Sequence, residues 1–243
     1  MNKQIIGNSK RTYDVKDGVD DLLVGSVFKI SKGGEVPKVG RRNIEPLVEN
    51  NNDDFIYVPA IGLYVAKERT LLGEDFYSCQ EKLHVENSKM LNLPEFKEFL
   101  KYVKVNNPDI YSEITEVRDP WRAEWIDADF KYENKQFFIV YHVFDDKGNI
   151  IQKKEELDRN TLFEDRTPGI SLEDYLKNST GQGLPLKSVE EGNLYYWAPM
   201  KDNNSVARFN ADGDGANLDY YTGSAVRLSN LGVRAAKKEI KNE

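Results

Sequence analysis

Apolar and polar positions along this chain change their period several times, and each change marks a new element. Between residues 74 and 118 the apolar positions recur at helical spacing. Phe76, Cys79 and Leu83, with Gln80 in register, describe a first helix. Pro94 opens a second, with Phe96, Phe99, Leu100 and Val103 on one face. Proline suits a first turn because its missing N–H has no intrahelical partner there. Pro108 opens a third helix carrying Ile110, Ile114 and Val117, and Asp119-Pro120 ends it, because a residue before proline is pushed out of the helical region. Ser171 and Asp174 form an approximate capping box at the start of a short fourth helix.

β patterns flank this helical block. Phe137 to Phe144 is a long strand candidate, Asp146-Lys147-Gly148-Asn149 a hairpin turn, and Ile150-Ile151 the start of the return. Residues 55–58 and 61–65 are two β-rich pieces broken by Pro59. Val24 to Ile30 is strand-like, with a turn at 31–34, and 49–54 is a surface loop. Toward the C-terminus, 194–197, 205–209 and 231–236 read as strands. About twenty residues of little periodicity separate the last two. The order of strands, helices and strands predicts an α+β protein with a small mixed or antiparallel sheet and a closing strand near the C-terminus. We expect one compact domain, with its core from about residue 55 and an N-terminal extension over 1–54.

Charge narrows the function classes. Lys and Arg number 34 against 41 Asp and Glu, a formal net charge of −7 over 243 residues. That balance disfavours nucleic acid and anionic membrane surfaces as partners. No apolar run is long enough to span a bilayer. The opening residues MNKQIIGNSKRTYDVKDG lack the apolar stretch of a secretory signal, so a cytoplasmic or virion-associated protein is expected. The single cysteine, Cys79, excludes an internal disulfide framework and a Cys-based zinc site and reads as a buried small hydrophobe. Its two histidines, His84 and His142, are far apart in sequence and show no nucleophile partner.

The last fifty residues have a different vocabulary. From Asp202 to Ala236 there is no Lys, Glu, Gln, Met or Trp, although these five types fill about a quarter of the remaining chain. Randomising the two adenines of an asparagine codon reaches Asn, Asp, Ser, Thr, Gly, Ala, Val, Leu, Tyr and Arg. It cannot reach the five missing types. Every residue from Asn210 to Asn230 belongs to the reachable set.

The flanking residues carry a resemblance. Tyr195-Tyr196-Trp197-Ala198-Pro199, then Asn203 to Phe209 (NNSVARF), then Leu231-Gly232-Val233-Arg234-Ala235-Ala236 resemble the C-terminal scaffold of variable proteins of diversity-generating retroelements, in particular the archaeal and archaeal-virus group. Weaker similarity extends upstream through Pro120 to Trp125 (PWRAEW) and Thr167 to Ser171 (TPGIS). The resemblance implies a C-type-lectin-like fold of the formylglycine-generating-enzyme branch. It also implies a C-terminal surface rewritten by a reverse transcriptase that errs at template adenines. Gly232-Val233-Arg234 matches the family's closing strand, whereas the cysteines of formylglycine-generating enzymes are absent here.

The implied ligand-binding residues are Asn210, Asp212, Gly213, Asp214, Asn217, Asp219, Tyr220, Tyr221, Gly223, Val226, Arg227 and Leu228, with side chains turned to solvent. Tyr220 and Tyr221 are the expected contact anchors, because tyrosine supplies contact area at low entropic cost while Ser, Gly and Asn supply adaptable hydrogen bonds. The three aspartates favour a cationic or hydroxyl-rich ligand. The expected partner is a variable ligand, a protein or cell-surface molecule, bound without catalysis, cofactor or metal. Asn210 to Tyr221 brushes against a calcium-loop pattern, yet Tyr221 stands where a bidentate Glu is needed. The acidic pairs Asp53-Asp54, Asp145-Asp146 and Glu155-Glu156 read as solvated surface. Trp121, Trp125 and Trp197 read as core packing. Two alternatives stay open: a viral structural or receptor-binding component with a fixed assembly surface, and a hydrolase built on two carboxylates.

Overall fold

The computed structural model describes residues 54–238. The strand-like stretch at 24–30, its turn at 31–34, and the extension up to Asp53 lie outside the described residues. The fold is α+β. In chain order it comprises β1 (Phe55–Val58), β2 (Leu63–Ala66), α1 (Phe76–Val85), β3 (Lys89–Met90), α2 (Leu93–Asn106), α3 (Pro108–Thr115), β4 (Arg122–Glu133), β5 (Gln136–Phe144), β6 (Ile150–Glu156), β7 (Arg166–Ile170), α4 (Leu172–Lys177), β8 (Leu194–Trp197), β9 (Ser205–Asp212), β10 (Gly215–Gly223), β11 (Leu231–Gly232) and β12 (Ala235–Lys237). No described helix is long and apolar enough to cross a membrane.

The larger sheet runs β6-β5-β4-β9-β10-β8-β7, with β11 added beside the start of β4. The smaller runs β1-β2-β12-β3. Side chains alternate between the two faces of a strand, so Val206 and Ala207 of β9 serve different clusters. Ala207, Phe209, Leu218 and Tyr220 pack on one face with Phe96, Phe99 and Leu100 of α2, Ile114 of α3 and Tyr175 of α4. Val206 joins Trp125, Leu231 and Val233 under Phe76, Cys79 and Leu83 of α1 on the other. Cys79 is therefore a core residue, and burial pushes its thiol up to about 12.

The helix ends follow local chemistry. Asn92 caps α2 in a reciprocal box with Glu95, which satisfies two otherwise orphaned backbone N–H groups. Ser171 accepts from Asp174 N at the start of α4. α3 stops at Thr115, before the Asp119-Pro120 signal, so Val117 is exposed rather than part of a buried face.

Two further expectations are corrected. The 231–236 stretch is not one closing strand. Leu231 and Gly232 pair in parallel with Ala123 and Glu124, whereas Ala235 and Ala236 enter the other sheet between β2 and β3. The chain changes sheet at Val233–Arg234, where Val233 exchanges backbone hydrogen bonds with Thr70. The stretch after Phe209, read as having little periodicity between two strands, continues β9 to Asp212 and returns as a full strand, β10.

The change of sheet is held by buried charge. Glu124 lies 3.1 Å from Arg122 Nη2 and 2.8 Å from Arg234 Nε. Glu113 reaches the same two guanidiniums at 3.0 and 2.6 Å. Arg69 adds a bond to Asn230 O at 2.7 Å. Burial opposes the charge on Glu124, but Arg122 and Arg234, helped by Arg69, outweigh it and hold the carboxyl below its usual pKa.

Close approach sets one backbone requirement. A Cβ on Gly169 would sit 1.9 Å from the Leu194 carbonyl oxygen, so β7 can meet β8 only with glycine there. Gly169→Ala is expected to lower stability by about 1–3 kcal/mol, the range for overpacking. A urea melt checks this, and an unchanged midpoint would contradict the close approach.

Candidate functional site

The segment of restricted composition folds as a β-hairpin and a tethered loop. β9 and β10 join through a two-residue turn, Gly213-Asp214, with Asp212 opposite Gly215, Asn210 opposite Asn217, and Arg208 opposite Asp219. The hairpin is interior to the sheet. β4 pairs with β9 on one side and β8 runs parallel to β10 on the other. On β10, Ala216, Leu218 and Tyr220 enter the core, and Asn217, Asp219 and Tyr221 alternate to the opposite face. There they meet Tyr195 and Trp197, their register partners on β8 at Asn217 and Asp219.

Much of that face is hydrogen-bonded, although Asn210 Oδ1 is buried without a partner. Arg208 pairs with Asp219 at 2.8 Å, and Thr222 Oγ1 and Tyr221 N donate to the same carboxylate at 2.9 and 3.0 Å. Asp212 accepts from Asn210 and Asn217, both at 3.3 Å, and from Asp214 N at 3.0 Å. Trp197 Nε1 donates to Asn217 Oδ1 at 3.5 Å, and its ring stands edge-on to Tyr221 at 5.6 Å. Burial, then the Asp219 charge, raises the pKa of Tyr221, so its phenol stays neutral and able to donate.

The loop after β10 is tied to the start of α1. Phe76 N donates to Ser224 O at 3.1 Å, and Ser224 Oγ donates to Asn204 Oδ1 at 2.9 Å. Arg227 pairs with Glu74 at 3.2 Å and with Asp75. Asp75 also caps α1, and its bond from Ser78 N leads the effects that lower its pKa.

The expectation that these side chains face solvent holds for only part of the set. Gly213, Asp214, Tyr221, Arg227 and Leu228 are exposed, and Asp212, Gly223 and Val226 are half-buried. Asn210, Asn217, Asp219 and Tyr220 are buried. Tyr220 is a correction: with no exposed surface, it packs between Phe130 and Tyr196 at 5.1 and 5.5 Å and cannot be a contact anchor. Strand alternation is the reason, since neighbours on a strand face opposite sides. Trp197 is corrected the other way. It is half-buried on the open face, whereas Trp125 is the core tryptophan. Arg208, Tyr195 and Trp197 join the site although only the shared register reveals them.

The hairpin also rules out a wrapped calcium loop over 210–221, because these residues form paired strands around a two-residue turn. Among the described residues no three His, Cys, Asp or Glu side chains gather as a metal site. Asp145 closes the 145–149 turn by accepting from Lys147 N and Asn149 N, both at 2.8 Å. Glu155 accepts from Tyr141 OH at 2.8 Å. No family model, curated protein or solved structure matches the chain.

Proposed function

We propose that this chain is a non-catalytic binding protein of C-type-lectin-like fold, and that residues 210–230 form a display surface diversified through a retroelement. The observation that carries the reading is that the whole β9–β10 turn, β10 and the tethered loop, residues 210–230, lie inside the stretch confined to the asparagine-codon palette, which runs on to Ala236. A hairpin gripped on both sides keeps its backbone while side chains on one face change. Two of the five segments of family resemblance, 120–125 and 231–236, meet where Leu231 and Gly232 pair with Ala123 and Glu124, which also supports the reading. Tyr221, Trp197 and Tyr195 supply aromatic contact area, and Asp212, Asp214 and Arg227 supply polar contacts suited to a protein or cell-surface ligand.

The test is on DNA. Sequencing the flanks of the gene is expected to reveal a near-repeat of the codons for about 203–236, differing almost only where the repeat has adenine, beside a reverse transcriptase gene. Absence of both would remove the diversification half of the proposal. It would favour a fixed viral assembly surface, to which the exposed Met200, Tyr221 and Leu228 would contribute.

A further inference from the structure

The fold brings His84 and His142 together. His84, on the last turn of α1, stands 4.8 Å ring to ring from His142 on β5. Asp127 of β4 lies behind them, buried, with both carboxylate oxygens 3.2 Å from His142 Nδ1. It also accepts from His142 N at 2.7 Å and from Gln80 Nε2 at 2.8 Å. A cleft of about 620 Å³, lined by Tyr77, Gln80, Glu81, His84, Val85 and His142, lets water and protons reach the pair.

We propose that the His84–His142 pair is an acid-sensitive latch: it holds the C-terminal end of α1 on the sheet, and protonation releases it and loosens the 224–228 loop tied to the helix's other end. The charge count supports this. Asp127 can balance one imidazolium, and its contacts assign that role to His142. A second imidazolium on His84 faces the first with no counter-ion of its own in contact. From α1 the pair faces Glu81. From β3 comes Lys89, a further positive charge, already paired with Glu95 of α2. From β4 comes Asp127. Tyr77 donates to Asp129, itself paired with Lys131, so that carboxylate is engaged elsewhere.

Burial first, then the His142 charge, lowers the pKa of His84 from 6.5, with Lys89 adding to this and Asp127 opposing it. A histidine lowered in the folded state contributes its full stability above the unfolded value of 6.5. That stability is lost as pH falls from there toward the folded pKa. Release of one end of a ten-residue helix reaches the other, where Phe76 N holds Ser224 O and Glu74 and Asp75 hold Arg227. The meaning of a loosened 224–228 loop rests on the binding reading above; the latch itself does not.

Hydrogen exchange of the ligand-free protein at pH 7.5 and 5.5, corrected for intrinsic rates, tests this separately from any binding. Protection over residues 78–86 is expected to fall by up to about tenfold per pH unit, the limit for one proton taken up on opening. Protection over 224–228 should fall with it, and α2 should hold. His84→Gln should remove the pH dependence, with His84→Asn as a second variant if the first misfolds. An unchanged wild-type profile, or the same fall in both variants, overturns the latch. A fall at 78–86 with none at 224–228 overturns the coupling.

Discussion

Glu124→Ala is expected to destabilise this protein by about 3–5 kcal/mol, the range for breaking a buried ion pair by removing one partner. A typical domain has only about 5–15 kcal/mol in total. Arg122 and Arg234 would lose the carboxylate that contacts both, and both guanidiniums are almost fully buried. Glu113 would remain, half-exposed and facing Arg69, Arg122 and Arg234 together. Neither arginine can relieve the mismatch by losing its proton. Glu98→Ala on the exposed face of α2, which breaks a surface pair with Lys101, should stay within about 0.5 kcal/mol. Urea denaturation at pH 7 measures both, and a Glu124→Ala loss below about 1 kcal/mol would refute the network's role. The sign with pH follows from the lowered carboxyl. Its contribution is full above the ordinary value of 4.5 and is lost as pH falls through the folded pKa, so acid should narrow the gap between wild type and Glu124→Ala.

Adjacent tyrosines should give opposite results. Tyr220→Ala empties a site between Phe130 and Tyr196 and is expected to cost about 3–5 kcal/mol, as large core truncations do. Tyr221→Ala removes a side chain of a residue that is 37% exposed and touches the Trp197 edge, so its cost should stay below about 1 kcal/mol. The same variant should weaken ligand binding if the open face is the display surface. Thermal melts of the two variants decide the assignment of faces, and equal losses would sink it. In a diversified population, position 220 should keep a large aromatic while position 221 varies.

The helical block was legible because its apolar residues repeat at 3.6, so Phe96, Phe99, Leu100 and Val103 announced the buried face of α2 directly. β5 and its turn were legible from continuous β-branched and aromatic residues ending at Asp145 to Asn149. β10 was missed although its signal was present: Ala216-Asn217-Leu218-Asp219-Tyr220 alternates strictly. Small polar residues obscured it, because Asn and Asp ordinarily mark turns. Here Asn217 and Asp219 are buried and bonded partly within β10 and partly to Asp212, Trp197 and Arg208 on the neighbouring strands, which only the register supplies. The meeting of His84 with His142, and of Glu124 with Arg234, depends on pairings between distant strands. No local period encodes those.

The position of β12 between β2 and β3 has a consequence for synthesis. Until residues 235–237 have left the ribosome, the smaller sheet lacks β12, the inner strand that joins β2 to β3, and until 231–232 have left it β4 lacks β11. The strands made earlier must therefore wait, unsealed, for strands made after the β9–β10 hairpin. Such non-local closure is slow. A hairpin that could not seat itself between β4 and β8 would split the larger sheet into β6-β5-β4 and β8-β7, and would leave two unpaired edges open to proteolysis.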